Sequence, residues 1–144
     1  MRGPAIDGVL RRGTVGFFGD GNRLVDLTSV EDTARMVARI ALDRGVPAGK
    51  FAFAGDRISF RQAGEIIAAR TGRPIKPISY GSEADLRAAM AAADPQKKVM
   101  LAYLLYITTG QTALCNLQND RYLDLKLGSF GEFVEQNLAA AVHT

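Results

Sequence analysis

Five helix-start motifs divide this chain of 144 residues and restrict it to a fold rich in helices. In four of them a serine precedes an acid or amide by three residues, so the serine oxygen can cap the first turn while the later side chain reaches back to the cap. The fifth is Asp94-Pro95, an acidic cap with proline at the first helical position. The four serine pairs are Ser29 with Asp32, Ser59 with Gln62, Ser82 with Asp85, and Ser129 with Glu132. The helices predicted from these starts cover residues 30–44, 60–71, 83–93, 95–108 and 130–141.

Apolar spacing within two of these helices predicts how they pack. The second half of helix 95–108 is apolar nearly all round, so this helix should be central or covered by a partner. Helix 30–44 has one apolar stripe, with Met36 and Ile40 beside it, which should be buried against the rest of the chain. That stripe consists of Val30, Ala34, Val37 and Ala41.

Short apolar runs between the helices predict strands at residues 14–18, 23–27, 50–54 and 75–80. The glycine-containing turn at 19–22 should join the first two into a hairpin. Pro77 restricts the run 75–80 to a sheet edge or to extended chain outside a sheet. No repeat, low-complexity tract or linker divides the sequence. We therefore predict a single mixed α/β domain with a helical second half.

Charge and cysteine content exclude several classes of function. The 18 basic and 15 acidic residues are scattered, with no basic run longer than two, so we expect no nucleic-acid binding. The longest apolar run, 99–107, is far shorter than the roughly 20 residues that cross a bilayer, so we expect no membrane association. Cys115 is the only cysteine and His143 the only histidine, so we expect no disulfide, no metal site and no Ser-His-Asp arrangement. A cytoplasmic location is the expectation.

Two motifs resemble parts of dinucleotide-dependent enzymes. Gly19-Asp20-Gly21 is the one candidate for a phosphate-binding turn, but no third glycine follows and the next residues predict a strand, so a hairpin turn explains it. Tyr122 and Lys126 have the spacing of the tyrosine and lysine of short-chain dehydrogenases, in which the cation helps the tyrosine to pass a proton to a carbonyl oxygen. Their segment has alternating polarity and no helix cap. It therefore favours an extended or looped conformation, with catalysis by this pair as the alternative.

Aromatic residues offer a candidate for a hydrophobic pocket. Tyr103 and Tyr106 lie one helical turn apart and carry hydroxyl groups that need partners when buried. An ordinary hydrophobic core is the alternative explanation for the whole set. The set consists of Phe17, Phe18, Phe51, Phe53, Tyr103 and Tyr106.

In their order and spacing, several segments resemble the C-terminal half of NmrA-like proteins, the atypical short-chain dehydrogenases that include the isoflavone reductases. Four segments carry most of the resemblance: 19–22, 29–35, 51–56 and 72–75. Weaker similarities follow at 80–86, 109–112 and 124–133. The resemblance implies that residues 1–144 form one domain equivalent to that half. It also implies that the family's N-terminal dinucleotide-binding half is absent from these residues.

The resemblance has consequences for the site. The family's glycine-rich cofactor loop and catalytic lysine belong to the other half, so no catalytic or cofactor-binding residue can be carried over to this sequence. NAD(P) is the implied cofactor, and this chain alone is expected to bind none. The segment 50–54 would be the last strand of the sheet. Candidate substrate-cavity positions are Phe17, Phe18, Tyr103 and Tyr106.

Three functions follow as hypotheses. The first is the substrate-side portion of an NAD(P)-dependent reductase, not catalytic alone. The second is a non-enzymatic module that binds a small apolar or aromatic molecule or a regulatory protein partner. The third is a self-sufficient reductase using Tyr122 and Lys126. An orphan strand and the apolar run 99–107 also predict that the chain forms a homo-oligomer or docks on a missing N-terminal half.

Overall fold

The computed structural model describes residues 4–46 and 48–142, and it confirms the α/β prediction. His143 lies outside the described residues. No helix within those ranges has the length and apolar content needed to span a bilayer. In chain order the elements are α1 (Pro4–Arg12), β1 (Thr14–Phe17), β2 (Leu24–Leu27), α2 (Val30–Leu42), β3 (Asp56–Ser59), α3 (Phe60–Thr71), β4 (Lys76–Ser79), α4 (Glu83–Ala92), α5 (Pro95–Thr108), a short 3₁₀ helix (Asn119–Tyr122) and α6 (Phe130–Val142).

Local capping explains why the five predicted helices are present. At the start of α3, the Gln62 N–H donates to Ser59 Oγ over 3.2 Å, and the Ser59 N–H donates to Gln62 Oε1 over 2.8 Å. Asp94 caps α5 by accepting from the Lys97 N–H over 2.9 Å. The residue that caps the end of α3 is Gly72, whose φ of 65° is the left-handed conformation that glycine adopts without strain.

The strands pair differently from the sequence prediction. The predicted hairpin is wrong, because β1 pairs in parallel with β4 while β2 pairs antiparallel with β3. The turn between β1 and β2 is tied to other elements: the Gly19 N–H donates to Gly81 O over 2.8 Å, and Gly21 O accepts from the Arg61 N–H over 3.3 Å. These bonds direct β2 away from β1. Pro77 lies opposite Val15 in a two-stranded sheet, in agreement with its predicted place at an edge.

The predicted strand at residues 50–54 is also wrong. This segment runs beside residues 118–119, and its peptide groups bond mainly to side-chain amides. The Ala54 N–H donates to Asn119 Oδ1 over 3.2 Å, and Ala54 O accepts from Asn119 Nδ2 over 2.7 Å. Side-chain amides satisfy the backbone here without a sheet ladder, and the nearby strand is β3.

The main core lies between α1, α3 and α6. Its buried members are Ile6, Leu10, Ile67 and Val134. The helix α3 also packs on β1, where Gly64 leaves room for Val15 Cγ1, which would lie only 2.8 Å from a Cβ at that position. This arrangement fixes the helices on one side of the β1–β4 pair.

Helix α2 does not bury the predicted stripe. Val30 is 89% exposed and Val37 55%, whereas Asp32 and Met36 are buried. The reason is a contact distant in sequence: Asp32 Oδ2 accepts from the Gly128 N–H over 2.9 Å, which turns this polar face inward. An apolar stripe therefore remains open on the surface of α2.

Helix α5 is not central. It packs against α4, whose Leu86 is fully buried, and it buries its own Leu101 and Ile107. The face carrying Tyr103 and Tyr106 is exposed. Coverage of this face by a partner stays a prediction.

Candidate functional site

The candidate site lies at the carboxyl ends of β1 and β4. Ligands of parallel α/β sheets bind in the crevice beyond these strand ends. The two loops that follow the strands are joined by hydrogen bonds: the Tyr80 N–H donates to Phe17 O over 2.8 Å, and Ser79 Oγ donates to Gly19 O over 2.8 Å. The edge is therefore a defined surface built from both loops.

Two aromatic rings lie on this surface. Phe18 and Tyr80 meet edge to face, with ring centroids 5.8 Å apart and an interplanar angle of 62°. The Tyr80 ring occupies the space beside Gly16, where a Cβ would overlap it, so glycine at this position of β1 allows the ring to lie against the strand. Tyr80 was not among the candidates predicted from the sequence. The sequence signal for Tyr80 is a tyrosine at the end of one predicted strand, together with a glycine inside another predicted strand that could pair with it.

The four predicted cavity residues occupy different environments. Phe17 is only 4% exposed, stacks on Phe60 at 6.4 Å and carries the Arg61 guanidinium 5.3 Å above its ring, so it belongs to the interior beneath the site. Phe18 is half-buried at the strand end. Tyr103 and Tyr106 are exposed on α5 and form no ring contact with Phe18 within the described residues.

The turn after β1 does not fit a dinucleotide phosphate. A phosphate-binding turn must offer free N–H groups at the start of a helix. Here the Gly19 N–H is already bonded to Gly81 O, the Asn22 N–H donates to the Asp20 carboxylate over 2.9 Å, and the chain continues into β2. The Asn22 N–H also lowers the pKa of Asp20, which keeps a negative charge in the turn.

The connection from β4 to α4 does not fit a phosphate either. Asp85 occupies the first turn of α4, where its Oδ2 accepts from the Ser82 N–H and from Ser82 Oγ, each over 2.7 Å. These bonds, that of the Ser82 side chain foremost, hold the pKa of Asp85 below its usual value. A fixed carboxylate at the positive end of the helix would repel a phosphate.

Tyr122 and Lys126 are directed to separate partners. Tyr122 is buried, its hydroxyl donates to Asp43 Oδ2 over 2.8 Å, and its ring stacks on Phe51 at 6.0 Å. Lys126 is 86% exposed, and its Nζ lies 3.6 Å from Glu132. Since the two side chains share no partner, this pair lacks the common face that proton transfer would require.

Comparison with solved structures identifies proteins that share this fold. No family model and no curated protein matches the sequence. Among solved structures, an NADPH-dependent quinone oxidoreductase from Escherichia coli, determined with NADPH, matches with a TM-score of 0.74 and 18% identity over 93% of this chain and 48% of its own. The chain has the fold of about half of an NmrA-like reductase.

Two further structures match this NmrA-like fold. A triphenylmethane reductase from Citrobacter sp., determined with NADP(H), gives a TM-score of 0.68 at 15% identity, covering 92% of this chain and 47% of its own. A nucleoside-diphosphate-sugar epimerase from Staphylococcus aureus gives 0.72 at 11% identity, with the same two coverages. The chain thus spans about half the length of the solved structures it matches. That this is their C-terminal half stays a prediction.

A cavity of about 360 Å³ lies away from the carboxyl ends of β1 and β4, where the N-termini of α2 and α6 converge. Three carboxylates that line the cavity accept hydrogen bonds from the backbone. Asp32 Oδ2 accepts from the Gly128 N–H, and Asp56 Oδ2 accepts from the Phe130 N–H, each over 2.9 Å. Glu132 accepts from the Ser129 N–H over 2.7 Å. No group of residues suited to a metal ion occurs in ranges 4–46 and 48–142. The bonds around this cavity join the start of α6 and the loop before it to α2 and β3.

Proposed function

We propose that this chain forms the substrate-side portion of an NAD(P)-dependent reductase of the NmrA-like type and does not catalyse the reaction alone. The observation that carries the proposal is the match to about half of reductases solved with NADPH or NADP(H). The occupied N–H groups of the turn after β1 support it, because they leave no cradle for a pyrophosphate there. Residues 1–144 would then be one domain equivalent to the C-terminal half, and the dinucleotide would be held by an N-terminal half.

The proposed substrate is a flat aromatic molecule that rests against Phe18 and Tyr80. Tyr80 is 57% exposed and is held in position by its N–H bond to Phe17 O, so it offers a ring face before any ligand arrives. Tyr103 and Tyr106 would contribute to the same wall from α5. The two reductases above are named for a quinone and for triphenylmethane, both of which contain unsaturated six-membered rings.

An NMR titration with 1,4-naphthoquinone tests this site. We expect amide shifts at Gly19 and Gly81, and we expect Tyr80→Ala to weaken binding by about fivefold, the size of one aromatic contact. The control is Leu123→Ala, an equally drastic truncation of a residue that is 86% exposed. Shifts that avoid both glycines, or equal affinity for the Tyr80→Ala variant and the wild type, would contradict the assignment.

The exposed apolar faces support a proposal about partners. The faces of α2 and α5 would be covered by the dinucleotide-binding half or, in its absence, by a second copy of the chain. We expect sedimentation at increasing concentration to show association, and Val99→Ser combined with Tyr103→Ser to reduce it, since these residues are 73% and 63% exposed on α5. The control is Leu117→Ser, outside both faces. If the purified wild-type protein, without any partner chain, stays a single monomeric species at high concentration, that result would contradict self-association.

The second candidate function is a non-enzymatic module that binds a small ligand or a regulatory partner. It is favoured by aromatic residues that stay exposed without a cofactor cradle beside them, namely Tyr80, Tyr103 and Tyr106. This second function predicts tight binding of naphthoquinone, with an affinity that does not change when NADPH and a dinucleotide-binding half are added. The first function predicts that they change it. The third candidate, catalysis by Tyr122 and Lys126, has no support from the partners of these two side chains.

A further inference from the structure

We propose that the cleft between residues 50–53 and 113–118 binds a planar aromatic carboxylate. The cleft has a volume of about 920 Å³ and is open to solvent. It lies apart from the carboxyl ends of β1 and β4, and the proposal does not depend on the reductase function. The lining residues that matter for the argument are Lys50, Phe51, Phe53, Leu114 and Gln118.

One wall of the cleft is aromatic and already fixed in position. Phe51 stacks on the buried Tyr122 ring at an interplanar angle of 19°, and Phe53 lies 6.4 Å from Phe51 at 54°. Tyr122 is itself held by its hydrogen bond to Asp43. Both phenylalanines are half-buried, so each ring keeps an accessible part. A flat ligand would therefore pack against this wall with little loss of side-chain freedom.

Two hydrogen bonds between Gln118 and Ala52 join the two sides of the cleft. The Gln118 N–H donates to Ala52 O over 2.8 Å, and Gln118 Oε1 accepts from the Ala52 N–H over 3.1 Å. In an extended chain, neighbouring peptide groups point to opposite sides. The peptide groups of Phe51 and Phe53 accordingly point away from Gln118, and they make no hydrogen bond within ranges 4–46 and 48–142.

The opposite wall is equally constrained. The Leu114 N–H donates to Asp26 Oδ2 over 2.7 Å, and Leu114 O accepts from Arg57 over 2.7 Å. Asn116 has a φ of 54°, a left-handed conformation that asparagine tolerates better than most residues. The two hydrogen bonds of Leu114 hold this wall in place without a ligand.

The charge of the lining selects the ligand class. Lys50 is exposed and is the one charged side chain among the cleft residues. A carboxylate on the edge of an aromatic ligand would lie at Lys50, while the ring would pack on Phe51 and Phe53. Charge-assisted hydrogen bonds are the strong polar contacts in such sites.

Calorimetric titration with 2-naphthoate tests the proposal. We expect one site, weakened about fivefold by Phe53→Ala and about threefold by Lys50→Gln, and a preference over neutral 2-naphthalenemethanol that Lys50→Gln removes. The controls are Lys76→Gln, which changes an exposed lysine of β4, and Tyr80→Ala, which changes the candidate substrate site. Both should bind 2-naphthoate like the wild type.

Three results would overturn the proposal: no saturable binding, unchanged affinity in the Lys50→Gln variant, or loss of binding in the Tyr80→Ala variant. Lys50 is exposed, so its substitution tests the site even if Phe53→Ala fails to fold. Loss of binding in Tyr80→Ala would place naphthoate at the strand ends, which separates failure of this proposal from failure of the reductase function.

Discussion

Ile67→Ala is expected to lower the free energy of unfolding by about 2–5 kcal/mol, the range for truncating a buried isoleucine. Ile67 is 2% exposed and lies in the cluster with Ile6, Leu10 and Val134, which joins α1, α3 and α6. Removing it would leave a cavity that three helices line and cannot readily fill. Urea denaturation followed by circular dichroism measures the change.

The matched control for Ile67→Ala is Val37→Ala on α2. Val37 is 55% exposed, so its truncation should change the free energy of unfolding by no more than about 0.5 kcal/mol. A large loss at Val37 with a small loss at Ile67 would mean that the stripe predicted from periodicity forms the core after all. Such a result would contradict the packing described here.

Gly55→Ala is expected to cost about 2–4 kcal/mol, although it adds a single methyl group. A Cβ at Gly55 would overlap the carbonyl oxygen of Gly128, a backbone atom that cannot rotate away. The Gly55 N–H also donates to Leu27 O over 2.9 Å, which fixes the glycine from the other side. The substitution would separate the loop before α6 from the start of α2, and with it the bond from the Gly128 N–H to Asp32.

Gly131→Ala provides the control for this second substitution. Gly131 lies in the first turn of α6, and the nearest atoms to its added Cβ belong to the Arg70 side chain, 3.2 Å away. That side chain can move, and alanine favours a helix, so we expect a change between zero and about 1 kcal/mol of stabilisation. Thermal unfolding of both variants compares them directly. Equal effects at the two glycines would show that the Gly128 carbonyl does not limit position 55.

The helices were predictable because their determinants are local. Ser59 and Gln62 form the capping box of α3 within four residues, and Asp94 caps α5 by accepting from the Lys97 N–H three residues later. Helix α1 was not predicted, since its nine residues begin without a capping serine or aspartate. Local chemistry thus located the helices that carry caps.

Strand pairing and the buried face of α2 were not predictable from local patterns. β1 pairs with β4, about 60 residues later. The turn glycines suggested a hairpin, but they form hydrogen bonds with Gly81 and Arg61 instead. The orientation of α2 depends on Asp32 and Gly128, which are 96 residues apart. Tyr80 escaped detection for the same reason, because its position depends on the space beside Gly16. The candidate site was therefore located only in part.

Calorimetric titration of this chain with NADPH and NADH tests the central claim most directly. The Escherichia coli quinone oxidoreductase, solved with NADPH, is the positive control under the same conditions. We predict no saturable binding by this chain at cofactor concentrations up to about 1 mM. At that concentration a Kd near 1 mM, which is a binding free energy of about −4 kcal/mol, would be detected. Stoichiometric binding of either cofactor at micromolar concentration would mean that these residues hold a dinucleotide by themselves, and would contradict the account.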